Sequence, residues 1–310
     1  MNALHIFLFG KFCVQYLQQN LSQFDNNNVK LLLSFVLLGR DQSHSRDTLA
    51  TLIWPEVTQS QSKAYLRKTL WQLRTAVSSL EPAVNNELLL VEPEWIQANP
   101  QANIVLDVDF LEEAFSLTQG IQGRNFDKTA VALVKKAISS YKGCLLDGWY
   151  HDWCLYERER LQQLYTIILD KYLEYCLYHQ QYEEGIFYGL HLLAQDPARE
   201  RTHRRLMSLY YLLGDRTESI RQYERCESLL QQGLGVAPSS RTTHLYKLVK
   251  SDQLRFSGIV SSATPSLSPT NLSLLEKVDQ LQQLQKEMMT VQTQISKNIQ
   301  SLQHLLRDGS

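Results

Sequence analysis

The stretch that decides the reading of this chain is Gln61–Val77, QSKAYLRKTLWQLRTAV. On a helix turning about 100° per residue, Leu66, Leu70, Leu73 and Val77 share one side. Lys63, Arg67, Lys68 and Arg74 lie off that stripe, with no acid between them. One dry face and a cationic remainder suit a polyanion, because DNA carries a negative charge about every 1.7 Å of axis. Opposite the stripe stand Gln61, Ala64, Lys68, Trp71, Gln72 and Thr75. Of these, Ala64, Lys68, Trp71 and Gln72 are the candidates to face bases: Lys68 donates to guanine, Gln72 pairs with adenine and Trp71 meets a thymine methyl. Lys63, Arg67 and Arg74 on the flanks, Thr75 at the far end and Arg46 on the preceding helix are the candidate phosphate contacts. The plain alternative is a solvated basic helix, with Trp71 packed on a neighbouring helix or a partner protein.

Working outward, the net charge of −1 excludes a uniformly basic coat, so any nucleic-acid surface has to be local. It is: between Lys30 and Arg74 seven cations face Asp41, Asp47 and Glu56, leaving a local charge of +4. His5–Tyr16 is rich in Phe, Val and Ile and reads as one or two strands. Asp25–Asn28 is a turn cluster, and Val29–Leu38 reads as a buried helix closed by Gly39. Ser45 or His44 opens the next helix, Arg46–Trp54, with Asp47 at its positive end and Pro55 as its stop. A polar loop, Glu56–Ser60, leads into the basic helix. After Pro82, Leu88–Val91, the acidic turn Glu92-Pro93-Glu94 and Trp95-Ile96 outline a hairpin. Strands, three helices and a hairpin are the order of a winged helix with an amino-terminal sheet.

The residues carry a resemblance as well. SRDTLATLIWPE (45–56), AYLRKTLWQLRTAV (64–77) and VLDVDFLEEAF (105–115) closely resemble the DNA-binding domain of the Streptomyces antibiotic regulatory protein (SARP) family, related to the winged helices of OmpR-type regulators. The resemblance covers about residues 4–115. It implies that the third helix enters the major groove while the wing touches the adjacent backbone or minor groove. Glu92 and Glu94 depart from that pattern, since they repel phosphate and argue against deep minor-groove contact there.

From Phe126 to about Val249 the chain reads as successive helices, broken at Gly143, Asp196-Pro197, Gly214-Asp215 and Gly233–Pro238. At an offset of 34, Leu177 falls on Tyr211, Ile186 on Ile220 and Leu192 on Cys226. Paired helices repeating every 34 residues are the tetratricopeptide (TPR) period, here degenerate. YKGCLLDGWYHDW (141–153), LLAQDPARERTHRRLMSLYYLLGDRTESIRQYERC (192–226) and LGVAPSSRTTHLYKL (234–248) look like the bacterial transcriptional activator domain, the second half of SARP proteins. That resemblance implies a module that packs on the winged helix, supports dimerisation and activation, and recruits RNA polymerase holoenzyme at promoters carrying direct repeats. His203, Arg204 and Arg205 raise the idea of a ligand, but a hydrated face or ion pairs with Glu200 or Glu224 account for them more simply. Asp152, Glu157 and Glu159 are ordinary helical charges, not an acid–base pair.

Ser251–Thr270 is rich in Ser, Thr and Pro and reads as a flexible linker. The segment 271–307 carries a heptad seam of Leu274, Leu281, Leu284, Met288, Val291, Ile295, Leu302 and Leu305, with Lys277 and Asn298 interrupting it. Such a seam predicts a coiled coil that self-associates, docks on a partner or packs back on the helical domain. The expected organisation is therefore mainly α with a small β component: a winged helix-turn-helix domain at 1–115, an all-α TPR-like activator domain at 116–250, a linker at 251–270 and a coiled-coil helix at 271–307. Five cysteines without a CxxC pair read as reduced thiols, not a disulfide frame or zinc site. No basic n-region and no apolar run near 20 residues occurs, so the expectation is a cytoplasmic, nucleoid-associated protein without a membrane partner. With no GxxxxGK[ST], HExxH, GxSxG or GxGxxG, no catalytic residue, metal or cofactor is expected. The expected function is sequence-specific binding of double-stranded promoter DNA by a homo-oligomeric activator. The alternative is a TPR-like scaffold or adaptor whose winged helix binds protein.

Overall fold

The computed structural model describes residues 3–78, 80 and 88–254. The seam expected at 271–307, and the linker from residue 255 on, lie outside the described residues.

Alternation of apolar residues builds the first sheet. β1 (Leu4–Phe7) turns Leu4 and Ile6 fully inward, and β2 (Cys13–Tyr16) does the same with Val14 and Tyr16. β1 lies at the sheet's centre, antiparallel to β2 with Ile6 opposite Val14 and parallel to β7 (Ile104–Leu106) with His5 opposite Val105. β3 (Gln19–Asn20) completes the order β3-β2-β1-β7.

Three helices follow. α1 (Asn27–Leu38) is capped by Asn26, whose side chain accepts the N–H groups of Asn28 and Val29, and it closes at Gly39. It buries Val29, Leu32, Leu33, Val36 and Leu37 almost completely, at about 2 kcal/mol for each side chain removed from water. α2 (Arg46–Ile53) starts at Ser45, whose hydroxyl accepts from Thr48 N–H, and carries Asp47 in its first turn. α3 (Gln59–Ser78) packs on α1 and α2. The wing is a three-stranded sheet in the order β4-β6-β5, formed by β4 (His44–Ser45), β5 (Leu89–Val91) and β6 (Trp95–Ala98).

α4 (Asp107–Thr118) continues directly from β7 and packs on β1 as well as on α5 (Lys128–Ser140) and α6 (Asp152–Tyr178). α7 (Tyr182–Gln195), α8 (Glu200–Leu212), α9 (Arg216–Leu234) and α10 (Ser240–Lys250) then stack, each on the helix before it. The repeat of 34 aligns α6–α7 with α8–α9. It also pairs Gly185 with Ser219, both buried: Gly185 sits where a Cβ would stand 3.0 Å from Cys176 and Leu209, and Ser219 donates to the Met207 carbonyl at 2.7 Å. The break between α6 and α7 had no glycine to announce it. Gln180 takes the left-handed turn (φ 59°) that Gly214 takes 34 residues later (φ 93°).

The amino-terminal sheet and the helical layers are joined at Leu8–Gly10. The Asp107 carboxylate, in the first turn of α4, accepts the N–H of Leu8 at 2.9 and 3.0 Å and that of Phe9 at 2.9 Å. On the other side, Leu146 N–H donates to the Leu8 carbonyl and Gly10 N–H to the Cys144 carbonyl, both at 2.8 Å. Phe9 meets Tyr141 at a tilt of 50° (ring centroids 4.6 Å apart), and Tyr141 stacks on Tyr165 (3.8 Å). Leu146 is buried at φ 47°, a conformation costing about 1–2 kcal/mol for a side-chain-bearing residue. The Arg158 guanidinium holds it there by donating to the carbonyls of Leu145, Leu146 and Trp149, each at 2.9 Å. Burial pushes the Asp107 carboxyl up to about 6, against the opposing pull of the Leu8 and Phe9 N–H groups.

Two stability predictions follow from this packing. Gly123 lies so close to α6 that a Cβ would stand 1.9 Å from the Lys171 carbonyl oxygen, whereas Gly120 (φ 73°) faces open space. Gly123→Ala should lower stability by about 3 kcal/mol and Gly120→Ala by about 1 kcal/mol, measured by urea unfolding of the two variants side by side. Folded Asp107 holds its proton more tightly than the unfolded chain, so unfolding free energy should fall as pH rises from about 4 to about 6 and level off above. The difference between the wild-type and Asp107→Asn stability curves should carry that slope, on the order of 2–3 kcal/mol in all.

Candidate nucleic-acid interface

α2, the turn after it and α3 form the helix-turn-helix, and the turn explains how α3 begins. Thr58 and Gln61 make a reciprocal cap: the Gln61 amide oxygen accepts Thr58 N–H (3.2 Å) and its hydroxyl (3.0 Å), and Gln61 N–H reaches back to that hydroxyl (3.4 Å). Gln61, which the helical wheel puts on the outward side, is thus engaged in starting the helix. Leu66, Thr69, Leu73, Ala76 and Val77 are buried, and Leu70 is half-buried at the edge of the stripe.

The outward side carries Ala64, Lys68, Trp71 and Thr75, all exposed, with Gln72 half-buried beside them. Trp71 is 67% exposed, so the structure does not use it to pack on a neighbouring helix. The Thr75 hydroxyl donates to the Trp71 carbonyl at 2.9 Å, which leaves its oxygen lone pairs outward. Arg67 and Arg74 are exposed on the flanks. Among the described residues Arg67 and Lys68 make no ion pair. Lys63 differs, since its ammonium sits 2.8 Å from the Asp47 carboxylate at the start of α2. That acid offsets part of the positive charge Lys63 would bring to a phosphate. Arg46 is tied to the wing: its guanidinium donates to the Glu92 carbonyl at 3.2 Å and its N–H to the Glu94 carbonyl at 2.9 Å. The acidic turn therefore uses its backbone to fix Arg46 beside α3, a role the charges of Glu92 and Glu94 did not suggest.

The other clusters singled out in the sequence resolve into internal bonding. His203 is buried, with one ring nitrogen 2.9 Å from the Pro197 carbonyl and the other 2.7 Å from the Gln222 amide nitrogen; burial holds its pKa down. Arg204 pairs with Glu200 at 3.4 Å and donates to the Thr242 hydroxyl at 3.0 Å. Arg205 reaches Asp170 (2.9 Å), which Arg201 also meets (2.9 Å), so a buried carboxylate the sequence did not single out draws two arginines of α8 onto α6. Glu157 pairs with Arg160 at 2.8 Å. All five cysteines are free thiols, three of them buried. Among the described residues no group of three His, Cys, Asp or Glu is placed to hold a metal. No helix among them is long and apolar enough to cross a membrane.

Residues 106–250, from the end of β7 to the end of α10, match the bacterial transcriptional activator domain. The chain carries a bacterial transcriptional activator domain. Its fold is similar to that of Mycobacterium tuberculosis EmbR, solved in complex with a low-affinity phosphopeptide, with a TM-score of 0.67 over 83% of this chain and 67% of that one, at 18% identity. Nothing among curated proteins matches the chain. The order found here is a winged-helix fold followed by an activator domain.

The reciprocal cap sets the start of α3, and with it the register of every outward side chain. Thr58→Ala should cost about 1 kcal/mol and fray the first turn, read as faster amide hydrogen exchange at residues 59–62 with the rest of α3 unchanged.

Proposed function

We propose that this chain is a SARP-type activator that binds promoter DNA by laying α3 in the major groove, with Ala64, Lys68, Trp71 and Gln72 toward the base edges. Arg46, Arg67, Arg74 and Thr75 contact phosphates on either side, and Lys63 contributes after exchanging Asp47 for a phosphate. One observation carries this reading: the outward side of a well-anchored twenty-residue helix is exposed, cationic and free of acids, while its opposite side is built into the core. Such a surface, without a buried partner of its own, suits a groove of negative potential. The activator domain then brings RNA polymerase holoenzyme to the promoter, with the chain working at the nucleoid. Direct-repeat sites and a homo-oligomer, held by the helical domain and the seam at Leu274, Leu281, Leu284, Met288, Val291, Ile295, Leu302 and Leu305, belong to the same proposal.

A second reading, a helical-repeat scaffold, is favoured by Phe187 on α7, 66% exposed, together with exposed Leu190 and Leu229 on α7 and α9. Those side chains suit protein docking, which an activator also needs.

The two readings part in a DNA titration. For the activator, log affinity for a selected duplex should fall linearly with log salt, and removing Arg67 should reduce the slope by about 0.9. Lys68→Ala with Gln72→Ala should cost about 2–6 kcal/mol against the selected site while leaving affinity for random duplex nearly unchanged. A scaffold should show neither a salt-linked slope nor site preference. If the double variant keeps the selectivity of the wild type, the base-facing side assigned to α3 is wrong.

A further inference from the structure

The winged helix and the activator domain also meet away from Asp107. α1 begins there with Asn27 and Asn28, and α2 ends there with Ile53 and its cap Trp54. The turn 148–151, just before α6, faces them from the activator domain. Between them lies an open cavity of about 360 Å³, inside the roughly 300–1,000 Å³ range of small-molecule sites, which collect at boundaries between domains. Its floor is apolar, since Leu31 and Ile53 are buried. Its walls are aromatic: Trp54 comes from the winged helix, and Trp149 and Tyr150 from the activator domain.

The two tryptophans are set before any ligand arrives. Trp54 donates its indole N–H to the Asn28 side-chain oxygen at 3.2 Å, and its ring meets Tyr65 edge-on. Trp149 is held by its backbone, with its N–H on the Leu146 carbonyl (3.1 Å) and its own carbonyl accepting from Arg158 (2.9 Å). Tyr150 is 77% exposed, so its ring is available to close over the mouth.

The lining selects among ligands. No Lys, Arg, Asp or Glu lines the cavity among the described residues. An anion would therefore be desolvated without a cation to pair with. Aromatic faces attract cations, but a cation here would meet the positive end of α1, whose first two residues are Asn27 and Asn28. A neutral flat ring suits the indoles and meets neither objection. The Asn28 amide adds a direction. An indole N–H can only donate, so the Asn28 oxygen faces Trp54, and what Asn28 offers a ligand is its NH2 group. That donor, at the start of a helix, calls for an acceptor on the ring.

We propose that this cavity binds a neutral planar aromatic compound carrying a carbonyl. The ring stacks on Trp54, Trp149 and Tyr150, the carbonyl accepts from Asn28, and the ligand bridges the winged helix and the activator domain. The site is independent of what α3 contacts.

Isothermal titration of the full chain with chromone, a neutral bicyclic aromatic ketone, tests it. Three comparisons each change one property. N-methylquinolinium carries a positive charge, 2-naphthoate carries a negative one, and tetrahydropyran-4-one keeps the carbonyl without aromatic faces. The expected result is saturable one-to-one binding of chromone, at least tenfold tighter than that of each comparison. Asn28→Asp keeps an oxygen for Trp54 and replaces the donor with a carboxylate. Chromone should then bind about tenfold more weakly, and N-methylquinolinium more tightly than it binds the wild type. Asn27→Trp fills the cavity from the exposed start of α1 and should abolish chromone binding. Should that variant lose its cooperative thermal transition, Tyr150→Ala replaces it and should weaken binding at least threefold. With chromone bound, amide hydrogen exchange should slow at residues 53–54 and 148–151 together.

No saturable binding of chromone overturns the proposal as a whole. Chromone binding no tighter than that of any one comparison overturns the ligand class. Chromone affinity unchanged by Asn28→Asp and by the folded one of the other two variants overturns the site. Slowed exchange in only one of the two segments overturns the bridge.

Discussion

Three backbone-to-carboxylate hydrogen bonds determine how the two halves of this chain are joined. Asp107 is buried in the first turn of α4, and its oxygens accept the N–H groups of Leu8 and Phe9, ninety-nine and ninety-eight residues away. A carboxylate at a helix start is favoured by the helix dipole and by the unpaired N–H groups there. Burial costs it heavily, and its raised pKa records that cost. Such a group persists only where its partners hold still. Here they do, because Leu8–Gly10 is bonded on its other side to the loop 144–147, which Arg158 fastens in turn. The amino-terminal strand thus belongs to both the sheet and the helical layers. Arg40 adds an outer tie to Asp109, two residues further along α4, at 2.7 Å.

That junction bears on function through rigidity. α3 is seated on α1 and α2, and the wing is pinned to α2 through Arg46 and the carbonyls of Glu92 and Glu94. β1 and β7 share one sheet with α4 growing from β7, so the winged helix and the activator domain are parts of one covalently and sterically continuous unit. A polar or charged group left unpaired in that junction would be felt on both sides of it. Under the proposed function, the activator domain is carried at a fixed setting by the module that lays α3 on DNA.

Much of the architecture was legible in the sequence, and the rest was hidden for reasons that can be named. Periodicity was enough for α3, because Leu66, Leu73 and Val77 bury one face as spaced, and Gly39 and Pro55 punctuated α1 and α2. The 34-residue repeat placed α6–α7 over α8–α9. The turn between α6 and α7 escaped notice because Gln180 takes a backbone conformation usually announced by glycine. β7 escaped notice because three residues leave no period, and its partner β1 lies a hundred positions away. In the candidate site the exposed residues Ala64, Lys68, Trp71 and Thr75 stand where the wheel put them. The wheel gave no sign that Gln61 would cap α3, that Lys63 would meet Asp47, or that the acidic turn would hold Arg46 through its carbonyls. Each of these depends on a tertiary contact between elements and not on spacing within one.

The most direct test of the account is photo-cross-linking of the full chain to a duplex selected from a random library. A photo-reactive group stands at position 71 on α3 in one preparation and at position 187, exposed on α7, in another. The account predicts capture of DNA from position 71, lost on competition with unlabelled selected duplex, and none from position 187. Capture from position 187 alone, or from neither position while the selected duplex is bound, would contradict it.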